Sequence, residues 1–334
     1  MKKILAMVLA MMLVLSMSTA FAAVVSETTA TDASVPKTFN FTKEYKTTAG
    51  KTPATYPAEI LDFTITAAGN NPADTMISIA DQTIDANPDE IAITVPAYTV
   101  PGSYVYTIKE VEGTTQGVTY DTTTEIKVQV LVTYDETDAT HTKLLRQVVF
   151  TAKDADNNKV ATFANKYDLG NLDVSKTVTG NLGSQSDEFT VKVTFTATED
   201  IKSDITYVDG TETKTITAAM MSDKTETVDI TVKHGETVKF TNIPAGVSYT
   251  VVENDYTEGD KNNSLEGYDE AEYAFSDAEK KIAADDKDTV GITNNKETTV
   301  DTGISLDNAP YMILMALVVI AGAALIVKRA SANR

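Results

Sequence analysis

Lys43, Glu110 and Asn165, and then Lys176, Glu253 and Asn294, stand where polar chemistry is out of place. Each follows apolar residues of its own parity: Phe39 and Phe41 before Lys43, Tyr106 and Ile108 before Glu110, Phe163 before Asn165, Leu172 and Val174 before Lys176, Tyr249 and Val251 before Glu253, Val290 and Ile292 before Asn294. Successive side chains of a β-strand point to opposite faces, so residues of one parity share a face and all these polar groups are aimed at a core. An unpaired buried ammonium or carboxylate costs several kcal/mol or shifts its pKa until it is neutral. Burial therefore favours a free lysine amine, which is a nucleophile, and a protonated glutamic acid that can hydrogen-bond to and polarise a carboxamide. Attack of the amine on the asparagine side-chain carbon, with the glutamate shuttling protons, expels ammonia and leaves a Lys-Asn amide. That reaction removes the buried charge.

The order Lys, Glu, Asn occurs twice because the segments around it recur. Phe39-Asn40-Phe41-Thr42-Lys43 returns as Leu172-Asp173-Val174-Ser175-Lys176, Tyr106-Thr107-Ile108-Lys109-Glu110 as Tyr249-Thr250-Val251-Val252-Glu253, and Phe163-Ala164-Asn165-Lys166 as Ile292-Thr293-Asn294-Asn295-Lys296. A repeat of this kind places a domain boundary between Asn165 and Lys176, with Tyr167 to Asn171 as the linker. The expected units are an N-terminal domain over 36–168 and a C-terminal domain over 169–298. Residues 23–35, rich in Thr, Ser and Ala, read as a flexible arm.

The elements that must hold these residues are strands. Period-2 alternation marks Leu61, Phe63, Ile65 and Ala67; Ile126, Val128, Val130 and Val132; Phe189, Val191, Val193, Phe195 and Ala197; and Val228, Ile230 and Val232. Turn signals such as Pro101-Gly102, Asp209-Gly210, His234-Gly235 and Pro244-Ala245-Gly246 punctuate them. Asp277 to Ala284 is expected to be able to form a short helix. Many short strands at this spacing predict an all-β chain of two tandem antiparallel sandwiches.

Composition removes several function classes. The chain has 334 residues, no cysteine and no tryptophan, so disulfides, thiolate metal sites and cysteine nucleophiles are absent. Five of its 28 basic and one of its 48 acidic residues lie in the two ends, which leaves residues 23–302 with 23 against 47, a formal charge of −24. Such a body repels phosphate, which excludes nucleic acid as a partner. With two histidines, His141 beside a loop and His234 at a Lys-His-Gly turn, no Ser-His-Asp site is expected. Glu110 and Glu253 sit in separate domains and cannot act together as a glycosidase pair. Asp154, Asp156 and Asn158 imitate the start of a calcium loop, but Lys159 and Asn165 occupy positions that need Gly and Glu, so no metal and no cofactor is expected.

The ends carry an address. Met1-Lys2-Lys3, the apolar run Ile4 to Leu15 and Ala20-Phe21-Ala22 form the three regions of a secretory signal peptide over 1–22. Tyr311 to Val327 is an uncharged stretch of 17 residues, just long enough to span a bilayer, and a basic tail over 328–334 follows. Ahead of it, Thr299-Val300-Asp301-Thr302-Gly303 resembles a sortase cell-wall sorting signal, although Leu and Pro of the usual Leu-Pro-x-Thr-Gly are missing. The resemblance implies that the bond between Thr302 and Gly303 is cut and that Thr302 becomes the acyl donor.

Taken with Pro101-Gly102-Ser103-Tyr104-Val105-Tyr106, Gly117-Val118-Thr119-Tyr120-Asp121-Thr122-Thr123 and Asn242-Ile243-Pro244-Ala245-Gly246-Val247, these features make the chain resemble the major, or backbone, pilins of Gram-positive sortase-assembled pili, of the two-domain streptococcal type. The resemblance implies Ig-like sandwiches similar to collagen-adhesin B modules. It also implies intramolecular bonds from Lys43 to Asn165 with Glu110 as catalyst and from Lys176 to Asn294 with Glu253, Asn295 being the competing neighbour of Asn294. It further implies an exposed acceptor lysine just before the last strand of the first domain, a position matched by Lys159, with Lys153 as the substitute. The partners implied are other copies of the chain, a pilus-class sortase, peptidoglycan and a host surface ligand. The rival reading is a wall-anchored adhesin or ancillary pilin that binds a host ligand without forming the shaft.

Overall fold

The computed structural model describes residues 30–298 apart from 70, 81, 153–158 and 261–262. The expected signal peptide, sorting motif with Thr302 and Gly303, membrane span and basic tail lie outside the described residues, as do Lys153 and the calcium-like Asp154, Asp156 and Asn158.

The chain is all-β among the described residues, with a single 3-10 turn at Ala73–Thr75. Alternation is what makes it so. The strand Lys37–Lys46 turns Phe39, Phe41, Lys43 and Tyr45 inward, and Ile126–Tyr134 buries Ile126, Val128, Val130 and Val132. In the first sandwich, one sheet runs Thr31–Asp32, Leu144–Phe150, Ile126–Tyr134, Gly102–Glu110, Phe63–Ala67. The facing sheet runs Ser78–Ile79, Asp89–Val95, Lys37–Lys46, Thr162–Tyr167, Val118–Thr119. In the second sandwich, a six-stranded sheet orders Glu212–Ile216, Ile205–Asp209, Thr237–Pro244, Leu169–Thr179, Lys287–Asn295, Glu272–Phe275 against the three strands Thr225–Val232, Phe189–Thr196 and Ser248–Glu253. Each sandwich closes over its own apolar core.

In both sandwiches the long strand on which the chain enters lies beside the strand on which it leaves, and the two are parallel: Lys37–Lys46 with Thr162–Tyr167, and Leu169–Thr179 with Lys287–Asn295. The other ladders between the strands are antiparallel.

Two expectations are corrected. Within the arm read as flexible, Thr31–Asp32 pair with Arg146 and Leu145, Ala33 is buried, and the Arg146 guanidinium donates to the carbonyls of Val35 at 2.6 Å and Pro96 at 3.2 Å. Backbone pairing at a sheet edge, which composition does not reveal, orders that segment. Asp277 to Ala284 is not a helix, because the Asp277 carboxylate accepts the N–H groups of Glu279 and Lys281 and Lys280 sits at φ 53.

The sandwiches meet through a polar joint centred on Gln116, which is 7% exposed. Its Oε1 accepts from Thr198 N, Thr198 Oγ1 and Glu199 N, each at 3.1 Å, its Nε2 donates to the Ala245 carbonyl at 2.8 Å, and its own N–H reaches the Asp200 carbonyl at 2.9 Å. Gly117 next to it holds φ +81, and a Cβ there would lie 3.0 Å from the Asp168 carbonyl oxygen and 3.1 Å from Pro244 Cβ. Gln116→Ala removes its four side-chain bonds from the joint and leaves the one between Tyr167 and Ser203, at a cost of about 2–3 kcal/mol. The expected outcome is faster amide exchange at Thr198 and Glu199 and a broader distribution of inter-domain orientations in small-angle scattering, with both cores intact.

Candidate functional site

The parallel pairing sets the geometry of both polar clusters. Lys43 lies opposite Phe163, two residues before Asn165, and Lys176 lies opposite Ile292, two residues before Asn294. The lysine and asparagine thus emerge on the same inward face at the same offset in both sandwiches. The glutamate comes from across the core, at the end of Gly102–Glu110 or Ser248–Glu253.

In the first cluster Lys43 and Asn165 are fully buried and Glu110 is 4% exposed. Lys43 Nζ donates to Glu110 Oε1 at 3.0 Å and Oε2 at 2.7 Å, and Asn165 Nδ2 donates to the same Oε1 at 2.6 Å. Glu110 therefore touches both the nitrogen that would attack and the nitrogen that would leave. Aromatic rings exclude water: Phe41 packs edge-on to Phe63 and Phe163, with centroids 5.2 and 5.5 Å away. Burial pushes the Lys43 ammonium below and the Glu110 carboxyl above their ordinary ranges, against their mutual attraction. Desolvation on this scale favours the neutral amine and the neutral acid over an ion pair. The sequence reading has Glu110 polarising the carboxamide through hydrogen bonding; the structure instead turns the amide nitrogen to Glu110 and the Asn165 Oδ1 to the backbone N–H of Asp121, at 2.8 Å.

In the second cluster Lys176 Nζ donates to Glu253 Oε1 at 2.5 Å and sits 4.2 Å above the centroid of the Phe189 ring. Burial pushes the Lys176 ammonium down. Glu253 Oε2 and Asn294 Oδ1 are buried without hydrogen-bond partners among the described residues. The neighbour Asn295 faces away from this cluster, its Nδ2 donating to Asp269 Oδ2 at 2.8 Å and its Oδ1 accepting from Thr179 Oγ1 at 3.0 Å.

Lys159 is half-buried, not fully exposed, and lies three residues ahead of Thr162, which is in register with Thr42. It is thus on the part of the first sandwich remote from Asp168 and the joint. The leaving strand of the second sandwich runs away from the joint, so Lys159 and the exit at Thr298, held by Asn181, lie toward opposite ends of the pair of sandwiches.

Sequence reasoning assigns no role to Glu59, Thr115, Tyr120 or Asp121. Glu59 is buried and accepts from the hydroxyls of Tyr45, of Tyr120 at 2.5 Å and of Thr115 at 2.6 Å. It shares the parity of Leu61, Phe63, Ile65 and Ala67, so the phase of that run is one signal that turns it inward. The tract Gly117 to Thr123 is the other signal, since it is polar, dense in turn residues and placed between the Glu110 and Asn165 strands.

Residues 24–168 match the family described as the Spy0128-like isopeptide containing domain, and residues 170–296 match a domain of unknown function, DUF7601. A curated relative, a pilin from Streptococcus pyogenes serotype M1, is 30% identical over 239 residues, covering 70% of this chain and 68% of that protein. Among solved structures, the major pilin from Streptococcus pyogenes aligns at 23% identity with a TM-score of 0.48, over 78% of this chain and 99% of the other. The T3.2 major pilin of the same species aligns at 18% identity with a TM-score of 0.48, over 80% and 99%.

Proposed function

The chain belongs to the pilin family, and from that premise we propose that it is the shaft subunit of a covalently polymerised cell-surface pilus, stabilised by autocatalytic Lys-Asn bonds within each sandwich and joined to its neighbours by a sortase. The observation that carries this reading is a placement that occurs twice: a buried lysine on the entering strand, paired with a glutamate from the facing sheet, lies opposite a residue two positions before a buried asparagine on the parallel leaving strand. In the first sandwich the bond is Lys43 to Asn165, with Glu110 relaying protons. In the second it is Lys176 to Asn294 with Glu253, and the outward hydrogen bonds of Asn295 favour Asn294 as the partner.

The mechanical consequence supports a shaft. In the second sandwich, tension along the shaft enters on the strand Leu169–Thr179 and leaves on the parallel strand Lys287–Asn295. A bond between those strands passes the load directly and shields the hundred or more residues between them. The same closure removes unfolded-state entropy, on the order of the ~4.7 kcal/mol assigned to a cross-link that closes a loop of about 100 residues. An exported chain without cysteine gains in this way what disulfides supply elsewhere.

Polymerisation is the subunit's other requirement: Thr302 as acyl donor, Lys159 as acceptor, attachment of the base of the polymer to peptidoglycan, and a membrane-held precursor. A denaturing gel of cell-wall extract, probed for this chain, tests the reading. A ladder of sizes is expected. A single band would overturn the shaft assignment in favour of a wall-anchored adhesin.

A further inference from the structure

Resting on the proposed Lys-Asn chemistry, we infer that the backbone N–H of Asp121 is the oxyanion donor of the first sandwich's reaction, and that the second sandwich, lacking such a donor, closes more slowly. Asp121 N lies 2.8 Å from Asn165 Oδ1, the atom on which negative charge must collect when the Asn165 carbonyl carbon becomes tetrahedral. The assignment of the two amide ends comes from the donors around them, since a backbone N–H can be satisfied only by the oxygen.

The N–H is held in place from both sides. The Asp121 carboxylate accepts Thr124 N at 3.1 Å, which closes the turn, and Ala164 N at 3.4 Å, next to Asn165 itself. On the other side the preceding residue, Tyr120, is anchored by its hydroxyl on buried Glu59, which also receives Thr115 and Tyr45. Tyr45 is the next inward residue after Lys43, and Lys43 Nζ lies 5.5 Å from its ring centroid. Glu59 and Tyr120 are therefore positioning residues that fix the height of the Asp121 amide against a carbonyl carried by another strand.

The second sandwich offers the contrast. There too a Tyr-Asp pair, Tyr268-Asp269, lies between the glutamate strand and the asparagine strand. Its amide is spent elsewhere: Asp269 N donates to the backbone carbonyl of Asn295 at 2.8 Å, and Asn294 Oδ1 is left buried without a partner among the described residues.

In the reaction, the neutral Lys43 Nζ attacks Asn165 Cγ, and the carbonyl π pair moves onto Oδ1, where Asp121 N–H receives it. Protonated Glu110 gives its proton to Nδ2, and the resulting carboxylate takes one from Nζ. The Cγ–Nδ2 bond breaks, ammonia leaves, Oδ1 reforms the carbonyl, and Glu110 ends as it began. A donor already aimed at the oxyanion is worth about 10²–10³ in rate when removed.

The test measures closure over time. The chain is made by cell-free translation, samples are quenched in acid and digested, and the Lys43-Asn165 and Lys176-Asn294 cross-linked peptides are quantified separately by mass spectrometry. In the unaltered chain the first bond is expected to form sooner. Replacing Asp121 with its α-hydroxy acid, which removes the N–H and keeps the side chain, is expected to slow the first bond about 100-fold and leave the second unchanged. Tyr120→Phe, which frees the preceding residue from Glu59, is expected to slow the first bond alone. If the α-hydroxy acid variant closes both bonds at the original rates, or the unaltered chain closes the second bond first, this inference is overturned while the Lys-Asn reading stands. If neither peptide forms in the unaltered chain, the Lys-Asn reading fails and takes the inference with it.

Discussion

Glu110→Ala and Glu253→Ala are each expected to return the mass of one ammonia molecule to a mature protein that otherwise weighs two ammonia molecules less than its sequence. Glu110 contacts Lys43 Nζ and Asn165 Nδ2 together, so removing it deletes the proton relay and not merely a neighbour. The effect on stability is large because two losses coincide. Without the cross-link the unfolded state regains entropy on the order of ~4.7 kcal/mol. Removing Glu110 also leaves the buried Lys43 amine without its hydrogen-bond partner, at a further cost of about 1–3 kcal/mol. For a domain of this size about 5 kcal/mol corresponds to a fall in Tm on the order of 15–20 °C, and the glutamate variants should meet or exceed it. Asn165→Ala separates the two losses, since it prevents closure while leaving Lys43 and Glu110 paired. It should show the same mass increment over the native protein's cross-linked state, corrected for the side chain, with a smaller fall in Tm. Intact mass and scanning calorimetry on the same samples read both quantities. An unaltered protein whose mass equals its sequence mass while correctly folded would sink the intramolecular bonds in both sandwiches.

What the sequence disclosed and what it withheld have a common physical origin. Period-2 alternation reports which face a side chain takes, and that face is all that was needed to turn Lys43, Glu110 and Asn165 inward together with their second copies. It also brought out strands such as Phe189–Thr196, which buries one parity and leaves the other at least partly exposed, whereas Leu144–Phe150 buries both. Alternation is silent about anything held by backbone amides. The Asp121 N–H that faces Asn165 Oδ1 belongs to a turn, where no period exists, and a donor that every non-proline residue possesses leaves no mark on residue type. The parity of Glu59 with Leu61 and Phe63 reports its burial but not its partners, which are three hydroxyls from two other segments and come together only after folding. The Gln116 joint is the same case between domains, one polar residue whose four side-chain bonds all reach the other repeat. The ordered Thr31–Asp32 edge strand completes the pattern, since its pairing with Leu144–Phe150 is a backbone matter that a Thr- and Ala-rich composition cannot announce.

Lys159→Ala is expected to collapse the pilus ladder to monomers joined to the wall, whereas Thr302→Ala should leave the precursor in the membrane. The two variants differ because they remove opposite halves of one amide. The donor half fails before the chain is released, and the acceptor half fails only when a second subunit arrives. Lys43 and Lys176 cannot serve as acceptors, because both are enclosed in their cores and engaged by Glu110 and Glu253. Lys159 is half-buried ahead of the strand Thr162–Tyr167, on the part of the first sandwich remote from the joint. The leaving strand of the second sandwich carries the chain the opposite way. A bond from the C-terminal side of one subunit to Lys159 of the next therefore stacks subunits end to end. It also places the second cross-link on the line of tension, since load passes from Lys159 along Thr162–Tyr167 into Leu169–Thr179 and crosses from Lys176 to Asn294 through covalent bonds, with the body of the first sandwich held beside that line. A full ladder from Lys159→Ala cells would move the assignment to Lys153, and a ladder lost only in the double variant would show that both lysines accept.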